Sequence, residues 1–200
     1  MTRLILYNLI LILLVSCSGK GNKEVYNPKA VELNNRGIGW MKRSNPDSAI
    51  ILFDKAIAMD KTYYLPHSNK IGIYINRKEF DKALAESEMV VQLKPDLAEG
   101  WNFTGMLHDG LGDSLAAKKC YRKSIELFDQ RISDSQNKEK LFANRLQRAF
   151  CLILIGKEKE GKEEMKKLQA EKPNDLITEQ FLQMNKRDFI NEIFKSRFCA

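Results

Sequence analysis

Little in this sequence serves catalysis. The 200 residues include only two histidines, His67 and His108, and neither has cysteines or carboxylates at ligand spacing around it. No glycine-rich loop precedes a Lys-Ser or Lys-Thr pair, and there is no nucleophile elbow, so the common phosphate-cradling and hydrolase motifs are missing. Paired carboxylates such as Glu163 and Glu164 sit in a Lys-rich stretch that reads as solvated surface. No enzyme activity, metal or cofactor is expected. Proline and glycine are also scarce, at five and eleven, and with 44% hydrophobic and 30% charged residues long disordered tracts are excluded. No apolar run approaches the roughly 20 residues of a membrane-spanning helix.

A cluster of one charge sign is lacking too. The formal net charge is +7, yet residues 30–63 carry five basic and four acidic side chains, and 64–97 and 98–131 each carry five of both. A nucleic-acid footprint needs Lys and Arg gathered on one face, so no nucleic-acid partner is expected. The thin basic excess is compatible with an anionic membrane surface.

The N-terminus reads as an address. Arg3 precedes an apolar run from Leu4 to Val15, broken only by Tyr7 and Asn8. Twelve helical residues span roughly 18 Å, too short for a bilayer but right for a signal-peptide core. The run ends in Leu14-Val15-Ser16-Cys17, which resembles the bacterial lipobox. That resemblance implies cleavage after residue 16 and lipidation of Cys17. A lipid-anchored protein of a bacterial cell envelope follows, expected in the outer membrane facing the periplasm, with Ser18 after the cysteine compatible with that sorting. Residues 17–29 form a short polar tether. The other cysteines are Cys120, Cys151 and Cys199, and three cannot all pair within one chain. Cys120 and Cys151 lie beside apolar residues in helical patterns and are expected to be buried, whereas Cys199 near the end could be reactive.

Beyond the tether the sequence repeats. Ala49, Ala83 and Ala117 are 34 residues apart, and Gly161 follows after 44. Four residues later stand Phe53, Ser87, Tyr121 and Met165. Twelve before the small residue stand Gly37, Ile71, Gly105 and Ala149, and nine before it Trp40, Tyr74, His108 and Leu152. Small residues let two helices approach closely, and large ones fill the space between neighbouring pairs. Asn27-Pro28 and Asn45-Pro46 each offer a cap followed by proline at the first helical position. Asp96 and Glu99 have capping-box spacing, and Gly112 and Gly156 suit turns between helices. Residues around Ser133 to Lys138 read as a longer connection before the fourth unit. Pro95 and Pro173 close the second and fourth units.

This pattern resembles the tetratricopeptide repeat (TPR), over residues 30–63, 64–97, 98–131 and 142–175. The resemblance implies an all-α, TPR-type α-α superhelix of four helix pairs. Residues 176–200, with apolar positions at helical spacing, are expected to be a C-terminal capping helix and tail. His67 and His108 fall at repeat positions that face the core. The resemblance also implies that the first helix of each pair lines a concave binding face, where Asn34, Ile38, Met41, Ile75, Asn76, Asn102, Met106 and Asp109 are the candidate partner-binding residues. Asn34 and Asn102 are expected to hydrogen-bond a peptide backbone, and Ile38, Met41 and Met106 to give adaptable apolar contact. Chaperone-binding members clamp a terminal carboxylate through Lys, Arg and Asn. Here the matching positions hold Asn34, Ile38, Glu99 and Phe103, so that mode is not expected. The function implied is a membrane-anchored scaffold or adaptor for a protein or peptide partner. The competing expectation is an accessory lipoprotein for a glycan or small ligand, although the face offers only Phe150 as an aromatic.

Overall fold

The computed structural model describes residues 25–194. The expectations for the signal segment, for Cys17 and for Cys199 lie outside the described residues. Within them the chain has ten α-helices and no strand. They are α1 Pro28–Lys42, α2 Pro46–Met59, α3 Leu65–Asn76, α4 Phe80–Leu93, α5 Ala98–Leu111, α6 Ser114–Ser133, α7 Lys138–Leu154, α8 Glu158–Glu171, α9 Leu176–Gln183 and α10 Lys186–Phe194. Two compact units divide between Pro95 and Asp96. In the first, α1 packs on α2, α2 on α3 and α3 on α4; in the second, α5 to α9 pack in sequence and α10 returns to α5. This is the expected all-α fold of TPR type.

Local chemistry sets the helix ends. The side chain of Asn27 accepts from Lys29 N at 2.9 Å and that of Asn45 from Ser48 N at 3.1 Å, each followed by proline at the start of the helix. These satisfy backbone donors that an unfinished first turn leaves exposed. The first helix of every pair ends the same way. A residue at φ +57° (Ser44), +63° (Lys78), +96° (Gly112) or +99° (Gly156) turns the chain. The next N–H then reaches back five residues: Asn45 to the Trp40 carbonyl at 3.0 Å, Glu79 to Tyr74 at 2.9 Å, Asp113 to His108 and Lys157 to Leu152 at 2.8 Å. This is the Schellman closure, whose left-handed residue favours glycine. Two of the four repeats manage it without one.

Inside each pair a notch and a knob interlock. A Cβ on Gly37 would lie 2.5 Å from the Phe53 ring, and one on Gly105 would lie 2.6 Å from the Tyr121 ring. In the second repeat the same two positions hold Ile71 and Ser87, both buried. Volume moves from one partner to the other, so the missing aromatic is compensated rather than lost. The fourth repeat uses Ala149 and Met165, also fully buried. Cys120 and Cys151 are buried free thiols, as expected.

Four details differ from the sequence reading. The connection before the fourth pair is short, because α6 runs on to Ser133 and Asn137 caps α7, accepting from Lys140 N at 3.0 Å. The added turns of α6 place Arg131 where it donates to Glu99 at 2.7 Å and to the Asp96 carbonyl at 3.0 Å. Glu99 is thereby drawn into that ion pair, and α5 starts at Leu97 without a side-chain cap bond. Trp40 is 36% exposed at the last turn of α1, with the Arg43 guanidinium 5.4 Å over its ring, rather than filling space between pairs. Finally, the C-terminal segment is two helices. Only α9 continues the stack on α8, while α10 packs on α5.

Ser44→Gly should raise stability by about 0.5–1 kcal/mol in urea unfolding and Gly112→Ala should lower it by about 1–2 kcal/mol, since each changes the cost of a left-handed residue. Ser87→Phe alone should destabilise by about 1–3 kcal/mol through overpacking, and adding Ile71→Gly should restore part of that loss by reopening the notch.

Candidate functional site

In the first unit α1 and α3 lie side by side. Residues three and four apart on a helix share a face. This puts Asn34, Ile38 and Met41 on one stripe of α1, and Gly72, Ile75 and Asn76 on one of α3. Ile38 and Met41 are half-buried over Ala49, Phe53 and Ile73. Ile75 is half-buried and Asn76 exposed. At Gly72 a Cβ would meet nothing within 4 Å, so the face is open there. Asn34 differs from its expected role. It is 2% exposed, its Oδ1 accepts from Asn69 Nδ2 at 2.8 Å, and it also hydrogen-bonds Tyr63. It ties α1 to α3 instead of facing a peptide.

The second unit closes the corresponding surface. Asn102, Met106 and Asp109 share one stripe of α5, but Asn102 is 2% and Met106 4% exposed, and the Asp109 side chain 5%. Helix α10 packs at the end of that stripe. Lys186 Nζ lies 2.6 Å from Asp109 and 5.6 Å over the Tyr121 ring. The Tyr121 hydroxyl donates to Asp109 at 2.8 Å. Burial, and after it the charge of Asp109, pushes the Tyr121 phenol well up, so it keeps its proton as donor. The Phe194 ring fills the space beside Gly110, where an added Cβ would lie 2.0 Å from it. On α7, Phe150 meets Phe181 at 4.9 Å and Phe189 at 4.4 Å between ring centroids. Asn102, Met106 and Asp109 are therefore buried within the chain itself, and at Asp109 the cover is Lys186 of α10. Lys186, Phe189 and Phe194 lie outside the repeat positions from which the candidate residues come. The helical spacing of Phe189, Ile190, Ile193 and Phe194 signals an apolar face without saying what it covers.

The positions that would clamp a carboxylate present no exposed cation. Asn34, Glu99 and Phe103 are buried and Ile38 is apolar.

His67 is structural, as expected, but belongs to a largely buried charge network with Glu86 and Lys70 that ends at the exposed Asp54. Its Nδ1 lies 2.6 Å from Glu86, and Lys70 Nζ lies 2.6 Å from Glu86 and 2.7 Å from Asp54. Burial alone would raise the Glu86 carboxyl, but hydrogen bonds with His67 and Lys70 outweigh it and hold it below its ordinary 4.5. Burial alone would lower Lys70, and its bonds to Asp54 and Glu86 leave it above 10.5 instead. Cys151 is a buried thiol pushed up to about 12, first by burial. It lies 3.3 Å from Ser124 Oγ, which donates to the Ala98 carbonyl at 2.8 Å. Such a thiol is inert.

A depressed carboxyl stabilises the fold above its unfolded pKa and loses that contribution as pH falls through the folded value. A raised ammonium contributes below its unfolded pKa and loses it as pH rises through the folded value. Glu86→Gln should therefore cost about 2 kcal/mol at neutral pH, and the gap from wild type should narrow below pH 4.5. Urea unfolding from pH 3 to 8 reads both.

Residues 98–130 match the family model of the tetratricopeptide repeat. The Heat shock protein sti1 homolog of Schizosaccharomyces pombe is 32% identical over 97 residues, which is 48% of this chain and 16% of that protein. A tetratricopeptide repeat protein from Parabacteroides merdae has a similar structure, with a TM-score of 0.57 at 19% identity over 84% of this chain and 60% of that one. PilW, a widely conserved type IV pilus biogenesis factor, gives 0.55 at 19% identity over 87% and 80%. Residues 98–130 are thus similar to a tetratricopeptide repeat, and the described residues share the all-α fold of these structures.

Proposed function

We propose that this chain is a lipid-anchored protein-binding scaffold of a bacterial cell envelope, taking a segment of its partner on the α1/α3 face. TPR domains mediate protein–protein interaction, which supplies the general activity. The observation that carries the specific reading is the open row of Ile38, Met41, Ile75 and Asn76 around Gly72. Half-buried apolar side chains beside an unfilled notch offer a partner side chain a seat, and the neighbouring amide offers it a hydrogen bond. With no exposed cation at the clamp positions, an apolar segment suits this face better than an acidic chain end. The anchor rests on the lipobox-like residues ending at Cys17.

Gly72→Arg tests the face without harming the fold, because it fills open space and replaces a poor helix former. Crosslinking from Met41 in native cells identifies the partner, and Gly72→Arg should lower its recovery about tenfold or more, as loss of an interface hot spot does. Unchanged recovery from Gly72→Arg and Met41→Asp would remove this face from the function. Cys17→Ser should shift the protein from the membrane fraction to the soluble one, and retention in the membrane would remove the anchor.

A further inference from the structure

The second helices of the four repeats differ most in charge. The first twelve residues of α6, 114–125, carry four basic side chains and no acidic one. The same stretch of α2 carries one basic and two acidic, that of α4 one and three, and that of α8 four and four. On α6 the core takes Ala117, Tyr121 and Ser124, all fully buried. The opposite face presents Leu115, Lys118, Lys119 and Arg122 at helical spacing, all exposed.

The fold makes no use of these cations. Lys118, Lys119 and Arg122 form no ion pair among the described residues. The acidic side chains before and after them are engaged elsewhere. Asp113 caps α6 by accepting from Ala116 N at 2.9 Å, Glu126 pairs with Lys123 at 2.9 Å, and Asp129 pairs with Arg148. Within the helix the cations repel one another, since Lys118 stands four residues before Arg122 and Lys119 four before Lys123. Like charges at that spacing destabilise a helix. One turn before them Leu115 is 68% exposed. Such a stripe lowers the stability of the free chain, and an anionic surface against it reverses the effect.

We propose that the outer face of α6 docks on the anionic lipid headgroups of the bilayer that holds the anchor. The stripe offers charge and one apolar side chain rather than an enclosed seat, which suits a continuous layer of phosphates over an apolar interior. The cations meet headgroups and Leu115 meets the acyl boundary. The second unit then lies on the membrane with α5, packed on the opposite side of α6 through Gly105 and Tyr121, turned away from it. Residues 18–29 reach at most about 40 Å, so an anchor at Cys17 keeps the stripe near the surface and strengthens a weak contact. The proposal takes its bilayer from the anchor reading and its binding residues from α6 alone.

The test uses the full chain with Cys17→Ser, so that lipidation contributes nothing and a failed anchor leaves the result readable. Vesicles of phosphatidylcholine alone are compared with vesicles of equal parts phosphatidylcholine and phosphatidylglycerol, and the apolar run at 4–15 is common to both. Binding should be tighter with phosphatidylglycerol. Each of Lys118→Gln, Lys119→Gln and Arg122→Gln should weaken that binding about fivefold, and the three together about a hundredfold, as loss of charges near an anionic surface does. Lys55→Gln removes an equal charge from the exposed face of α2 and should change nothing. In Leu115→Trp, brominated lipid should quench the added fluorescence in the anionic vesicles and not in the neutral ones. Glutamine is a good helix former at these exposed sites, so the variants keep the fold. Equal losses from Lys55→Gln and the α6 variants would overturn the proposal by making the attraction general. Binding indifferent to phosphatidylglycerol, or a residue 115 never reached by brominated lipid, would overturn it as well. Polyglutamate that shields Leu115→Trp where phosphatidylglycerol does not would overturn it by giving the stripe to an acidic protein.

Discussion

The bond from the Tyr121 hydroxyl to Asp109 joins the repeat core to the surface of the second unit. Below it, the Tyr121 ring lies against Gly105 and sets how closely α5 and α6 approach. Above it, Asp109 receives Lys186, whose ammonium also rests over the Tyr121 ring. One residue thus sets helix spacing, orients a carboxylate and supports a cation. Removing the ring would open the pair, whereas removing only the hydroxyl would leave the packing and free Asp109 to turn.

The first unit shows what happens without that bond. Its matching ring is Phe53, which fills the same notch against Gly37 but has no hydroxyl. The residue matching Asp109 is Met41, so no charge stands ready for a lysine. The backbones repeat, yet chemistry changes at two positions, and one face is left open where the other is covered. Polarity is used differently as well. In the first unit it is buried between helices, in the Asn34–Asn69 bond and the network of His67, Lys70 and Glu86, which reaches the exposed Asp54. Losing one partner of such a network leaves a buried charge uncompensated, which costs more than the intact network contributes. It therefore resists helix slippage more than it adds stability.

Most of the fold was legible in the sequence because it is written in short-range terms. The 34-residue period, the Asn-Pro starts and the glycines at 112 and 156 each fix geometry within a few residues. Ser44 and Lys78 adopt the same left-handed turn with no glycine to announce it, since the Schellman bonds on either side outweigh the local preference. The exchange of volume between Ile71 and Ser87 was hidden for a related reason: each looks like a departure alone and makes sense only as a pair. The α6 extension defeated the polar composition of 132–138 because Arg131 gains Glu99 and the Asp96 carbonyl at its far end. Of the candidate site, Ile38, Met41, Ile75 and Asn76 were readable from repeat position. The covering of Asp109 was not. It comes from a segment some 80 residues away, whose amphipathic spacing is compatible with any apolar surface.

That segment also has a size that bears on its behaviour. Helix α10 is nine residues long, and isolated helices of that length do not hold together in water. Its reciprocal cap favours the first turn, but the remainder forms only while Phe189, Ile193 and Phe194 are buried. Undocking and melting are therefore one event, and the entropy regained on melting offsets much of the lost apolar burial.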